Sequence, residues 1–244
     1  PPRVPAGLLL QLQGGRLAPL VDGLLASRLV REPLQEHYGL GPAQLGLLRQ
    51  APFLMGINSQ AKGPYQASLT LQLGLTPGKR PDWQLLLSVL RKGLLAQGLL
   101  EREAASPRLQ RQGTGDAWSA STWQGADGTV VGGWRWLTAQ PPAPTGSSGQ
   151  AQPLGLLLFL GPEPSPGALR SAALDVNRLG ASPPDQLSLR AQPQALARLG
   201  LWPAGAPPLT KRSKVLLIQA RALQPGGWSA GTSPSQVVGR LELP

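Results

Sequence analysis

The chain has 244 residues, of which 41% are hydrophobic, so it can bury the core of one large domain or of two smaller ones. Its 23 Lys and Arg against 12 Asp and Glu give a formal net charge of +11, which favours anionic partners such as nucleic acid, anionic lipid or acidic protein. The absence of cysteine excludes disulfides, a thiol nucleophile and a zinc–thiolate site. The longest apolar run falls far short of the roughly 20 residues that span a bilayer.

The first part of the chain predicts alternating strands and helices. Residues 7–13 predict a strand, and the Leu and Val spacing from Leu17 onward predicts a helix that Pro33 kinks or ends. A short helix follows over residues 43–50. Residues 53–57 and 65–73 predict two strands that pair as a hairpin.

The middle of the chain carries a further helix and the clearest hairpin signal. Pro81 at the first turn favours a helix over residues 82–97. Residues 118–123 and 129–137 predict strands that flank Asp127 and Gly128, a dipeptide typical of tight hairpin turns. Residues 139–153 are rich in Pro, Gly and Ser and predict a linker or long loop.

Beyond that segment, strands are predicted over residues 154–160, 186–191, 214–223 and 236–243, with helices over 166–179 and 193–199. The whole pattern predicts an α+β fold of mainly antiparallel sheets that helices cover on one face. We expect two similar halves, residues 1–138 with the Trp-rich hairpin and a smaller half over residues 154–244. Both open on Gly-Leu-Leu-Leu, which leaves an internal duplication as a hypothesis.

Motifs for chemistry are incomplete in this sequence. The single histidine, His37, ends a predicted helix, a position typical of a surface residue. No Gly-x-Ser-x-Gly or Gly-Lys-Ser/Thr motif occurs, and residues 113–116 lack the third glycine of a dinucleotide loop. We therefore expect no catalytic residue, no cofactor and no metal ligand. A hydrolase that uses only two carboxylates stays open, because two acids at the right spacing suffice.

Four tryptophans, Trp118, Trp123, Trp134 and Trp136, cluster around the predicted hairpin. Strand geometry places Trp134 and Trp136 on one face and Arg135 on the other. That face could be core, or it could stack the bases of a single-stranded nucleic acid. Gly132 and Gly133 predict close packing or a bulge. The candidate contact residues are Trp134, Arg135 and Trp136, together with the basic group Lys211, Arg212 and Lys214.

The opening Val4-Pro5-Ala6, the paired α+β halves and the hairpin over residues 118–136 resemble large uncharacterised cyanobacterial proteins that carry an N-terminal membrane anchor. The resemblance implies an extracytoplasmic or thylakoid-associated setting and supplies no catalytic residue. We therefore expect a non-catalytic binding or assembly domain, membrane-associated through a segment before Pro1, that contacts a protein or anionic partner. Single-stranded nucleic-acid binding and carboxylate-dependent hydrolysis are the alternatives.

Overall fold

A computed structural model describes residues 7–60, 65–76, 78–103, 120–138, 153–179, 183–203, 205–222 and 235–243. These residues form helices and a large antiparallel sheet, which confirms the α+β class. In chain order the elements are β1 (Leu8–Gly14), α1 (Ala18–Leu25), α2 (Arg28–Glu36), α3 (Pro42–Gln50), β2 (Phe53–Ser59), β3 (Ala67–Gly74), α4 (Arg80–Ala96), β4 (Leu100–Glu103), β5 (Ser121–Gln124), β6 (Val130–Thr138), β7 (Pro153–Leu160), α5 (Pro166–Leu179), β8 (Gln186–Ala191), α6 (Pro193–Arg198), α7 (Pro208–Arg212), β9 (Val215–Ala222) and β10 (Ser235–Glu242).

The described strands form one sheet in the order β10-β9-β8-β1-β2-β3-β7-β6-β5-β4. Strand β7 lies between β3 and β6, and β8 pairs with β1. Strands from before and after residues 139–152 therefore share a single sheet, in which β7 is inserted between two groups of earlier strands. The predicted similarity of two halves is not confirmed by this topology, and residues 139–152 lie outside the described part of the chain.

Helices pack on both faces of the sheet. Leu156 of β7 belongs to the main core cluster, together with Trp83 and Leu86 of α4. The next residue, Leu157, belongs to a separate cluster with Ala172 and Val176 of α5. Neighbouring residues of a strand point to opposite faces. We call these the α4 face and the α5 face, and helix coverage of one face only is not confirmed.

Most predicted elements lie within a few residues of the observed ones. The hairpin of β5 and β6 turns at Gly128, whose φ of +78° is the conformation that favours glycine there. Three elements depart from the predictions, one of them the short helix α7, which was not predicted. The helix expected from Leu17 is two helices, which separate at the extended residue Ser27, and Pro33 lies inside the second. Strand β4 was not predicted, because its Leu-Glu-Arg-Glu sequence carries little apolar signal.

Candidate functional site

Three of the four tryptophans that the sequence singled out, Trp123, Trp134 and Trp136, lie in or against the core of the α4 face. Trp134 is 4% exposed, and its ring centroid lies 5.7 Å from that of Trp123 at an interplanar angle of 44°. Trp136 is partly buried against the same cluster, and Trp118 lies outside the described residues. This burial favours the core interpretation, since an enclosed indole offers little surface for stacking a base.

Arg135 lies on the α5 face, opposite the two tryptophans, as the alternation predicted. The residue is 6% exposed, and its guanidinium donates to the carbonyl oxygens of Ser121 and Trp134 and to Thr122 Oγ1. Its Nη2 lies 2.5 Å from Glu163 Oε1. Because these contacts occupy the guanidinium inside the protein, Arg135 is a structural residue that joins β5 and β6 to the segment after β7.

A serine and a carboxylate meet on the α4 face. Ser121 Oγ donates to Glu101 Oε1 at 2.6 Å, and Arg91 Nε of α4 lies 2.5 Å from Glu101 Oε2. Ser121 is fully buried, so a substrate cannot reach its hydroxyl. Arg91 also holds Glu101 as an ion pair rather than as a free base. The contact fastens α4 to β4 and β5.

A shallow cleft of about 390 Å³ lies between α3 and the start of α4. Its polar lining consists of Gln44, Gln50, Thr76, Lys79 and Asp82. Lys79 Nζ pairs with Asp82 Oδ2 at 3.3 Å, and Asp82 is the single carboxylate of this lining. The cleft therefore lacks the acid pair that glycoside hydrolysis requires. The described residues also contain no cluster of three or more His, Asp or Glu that could hold a metal ion.

The remaining predicted contact residues lie near the start of β9. Lys211 and Arg212 end α7, and Lys214 precedes β9; all three are exposed. The backbone N–H of Lys214 donates to the Glu242 carbonyl oxygen, which places this basic group beside the end of β10. His37 follows α2 and is exposed, as expected for a helix-terminal residue.

Three further arginines share the α5 face of strands β8, β9 and β10. The register places Arg190 and Arg240 on either side of Leu217, and it places Arg221 between Gln186 and Gln236. We call Arg190, Arg221 and Arg240 the basic face. Helix α5 packs over β2, β3, β6 and β7, which lie on the other side of β1.

The basic face carries positive charge with little internal compensation. Arg221 and Arg240 are exposed, whereas Arg190 is half-buried and its Nε has no hydrogen-bond partner among the described residues. Arg240 pairs with Glu242 at 3.4 Å, and no described carboxylate forms an ion pair with Arg190 or Arg221. Uncompensated guanidinium groups on a sheet face can bind carboxylates or phosphates.

The basic face was not predicted, because its three arginines are far apart in the chain. Within each strand the signal is an alternation of polar residues, as in Gln186-x-Ser188-x-Arg190 and Gln219-x-Arg221. Such alternation predicts one polar face for each strand. Only the strand register joins the three positions.

Comparisons with family models, with curated proteins and with solved structures found no match to this chain. Among the described helices, none combines the length and the hydropathy needed to cross a bilayer. The resemblance to membrane-anchored cyanobacterial proteins therefore stays a prediction.

Proposed function

We propose that this chain is a non-catalytic binding or assembly domain that contacts an anionic protein partner through the basic face. The observation that carries the proposal is the placement of Arg190, Arg221 and Arg240 on one sheet face, two of them without an ion-pair partner among the described residues. Membrane association, which the resemblance implies, is not needed for it.

A partner of the basic face must contact several arginines at once, and its binding should weaken with salt. An exposed ion pair contributes about 0.2–1 kcal/mol, so a single arginine cannot hold a partner. Arg190 and Arg240 lie two strand spacings apart, roughly 10 Å, so one extended acidic segment can reach both. The net charge of +11 adds long-range attraction for any polyanion.

An acidic protein is favoured over single-stranded nucleic acid as the partner. Binders of single strands gain about 1–3 kcal/mol per base from stacking on aromatic side chains. Trp134, which the sequence nominated for that role, is buried against Trp123. The carboxylates of an acidic protein, by contrast, can bind to the guanidinium groups without any aromatic side chain.

The proposal is tested by fluorescence anisotropy with a labelled oligo-glutamate and with a labelled single-stranded oligonucleotide of equal charge. The test variant is Arg221→Gln/Arg240→Gln. The matched control, Arg28→Gln/Arg198→Gln, removes the same charge from exposed positions on α2 and α6. Loss of two exposed ion pairs of about 0.5 kcal/mol each predicts about fivefold weaker binding of oligo-glutamate for the test variant.

Three results would overturn the proposal. Equal weakening by the test and control variants would show that net charge alone attracts the probe. An absence of oligo-glutamate binding at low salt would remove the anionic protein partner. Tighter binding of the oligonucleotide, again dependent on Arg221 and Arg240, would replace the acidic protein with a nucleic acid.

A further inference from the structure

Strand β10 forms a long edge of the sheet. It pairs with β9 over all eight of its residues, in continuous register from Ser235↔Ala222 to Glu242↔Val215. Among the described strands nothing pairs with its other side. Val237 and Val238 are 63% and 58% exposed, and they point to opposite faces.

The opposite edge of the sheet is built differently. Strand β4 has four residues, three of them charged, and short charged edges resist the addition of another strand. Strand β10 is twice as long and contains neither a proline nor a register shift. Its two charged residues, Arg240 and Glu242, partly neutralise each other as an ion pair. The N–H and C=O groups of such an edge are a template for an added strand.

The two sides of this edge differ in chemistry. On the α4 face, Val237 and Leu241 continue apolar rows through Ala220 and Leu216 of β9. On the α5 face the edge carries Gln236, Val238, Arg240 and Glu242, of which Arg240 belongs to the basic face. A strand added to β10 would therefore place one set of alternate side chains beside apolar residues and the other beside a mixed row in which Arg240 is the cation.

We propose that β10 binds an extended acidic peptide segment of the partner protein as an additional strand, with apolar side chains on the α4 face and carboxylates on the α5 face. Main-chain hydrogen bonds along the edge would supply affinity, and the alternation would supply specificity. The inference rests on the proposed function, whose anionic partner it specifies. Charge favours this occupant over a second copy of the chain, because each copy would bring a net charge of +11 and its own Arg240.

The test uses the full chain and a labelled peptide of alternating Val and Glu, as long as the eight residues of β10. A control peptide of identical composition carries its Val and Glu in separate blocks. Two further peptides are N-methylated, one on every Val and the other on every Glu. In a strand these two sets of N–H groups point to opposite sides, so only one set would face β10.

We expect the alternating peptide to bind at least about tenfold more tightly than the block peptide. We expect N-methylation of one set to abolish binding and N-methylation of the other to leave it nearly unchanged. Equal binding of all four peptides, still dependent on Arg221 and Arg240, would overturn strand addition and leave the proposed function intact. No binding of any peptide or of oligo-glutamate at low salt would overturn both. Concentration-dependent dimerisation that excludes the alternating peptide would assign the edge to a second copy.

Discussion

Replacing Arg135 should destabilise the protein more than replacing its ion-pair partner. The Arg135 side chain is 8% exposed and the Glu163 side chain is 48% exposed. Removal of one partner of a buried pair costs about 3–5 kcal/mol when the other charge stays buried. Glu163 can hydrate, so we expect Arg135→Met to lower the free energy of unfolding by about 2–4 kcal/mol, mainly through the lost hydrogen bonds to Ser121, Thr122 and Trp134.

Glu163→Gln leaves the Arg135 charge buried, but the Gln amide oxygen and the present acceptors on Ser121, Thr122 and Trp134 can still bind the guanidinium, so we expect a smaller loss of about 1–2 kcal/mol in the free energy of unfolding. Urea unfolding followed by tryptophan fluorescence measures both variants. Arg102→Met, at an exposed position on β4, is the control and should change stability by less than about 0.5 kcal/mol. Equal destabilisation by the Arg135 and Glu163 variants would mean that the ion pair alone stabilises this site and that the other hydrogen bonds of Arg135 contribute nothing.

Three further predictions concern packing and charge. Gly133→Ala should cost more than about 2 kcal/mol, since its methyl would overlap the Ser121 carbonyl oxygen and the Phe159 ring. Gly23→Ala, whose methyl meets nothing within 4 Å, should gain about 0.5–1 kcal/mol. Urea unfolding would show the opposite signs of these two changes. Native tryptophan emission should be blue-shifted and weakly quenched by iodide, because several indoles, Trp134 among them, are buried; strong quenching would contradict this packing. Burial raises the pKa of Asp175, against the opposing charge of Arg178, so folding favours the protonated carboxyl. Asp175→Asn should therefore increase the free energy of unfolding at neutral pH, and the gain should shrink as the pH falls through the raised pKa; a gain that persists in acid would exclude this cause.

Local patterns predicted the elements well where one physical signal dominates. The spacing of Leu169, Ala172 and Val176 predicted α5 with its observed bounds. Asp127 and Gly128 predicted the β5–β6 turn, where Thr129 donates two hydrogen bonds to the Asp127 carboxylate and lowers its pKa.

The same local patterns did not predict the tertiary arrangement of the elements. The apolar sequence of β7 predicted that this strand is buried. Its place between β3 and β6, however, depends on pairing with strands that the local pattern does not identify. The close packing expected before Trp134 is observed at Gly132 and Gly133, whose added methyl groups would meet Phe159 and Leu160. The basic face could not be predicted, because Arg190, Arg221 and Arg240 become neighbours only through strand register.

If the basic face binds an anionic partner, the affinity of the chain for oligo-glutamate should depend on salt concentration through Arg221 and Arg240. We would measure this affinity by anisotropy at ~50 mM and ~200 mM salt, the range over which contacts among exposed charges weaken strongly. We expect the wild-type chain to lose affinity steeply across this range and Arg221→Gln/Arg240→Gln to flatten the slope, while Arg28→Gln/Arg198→Gln leaves it nearly unchanged. Identical slopes for the two variants would show that the basic face has no specific part in binding.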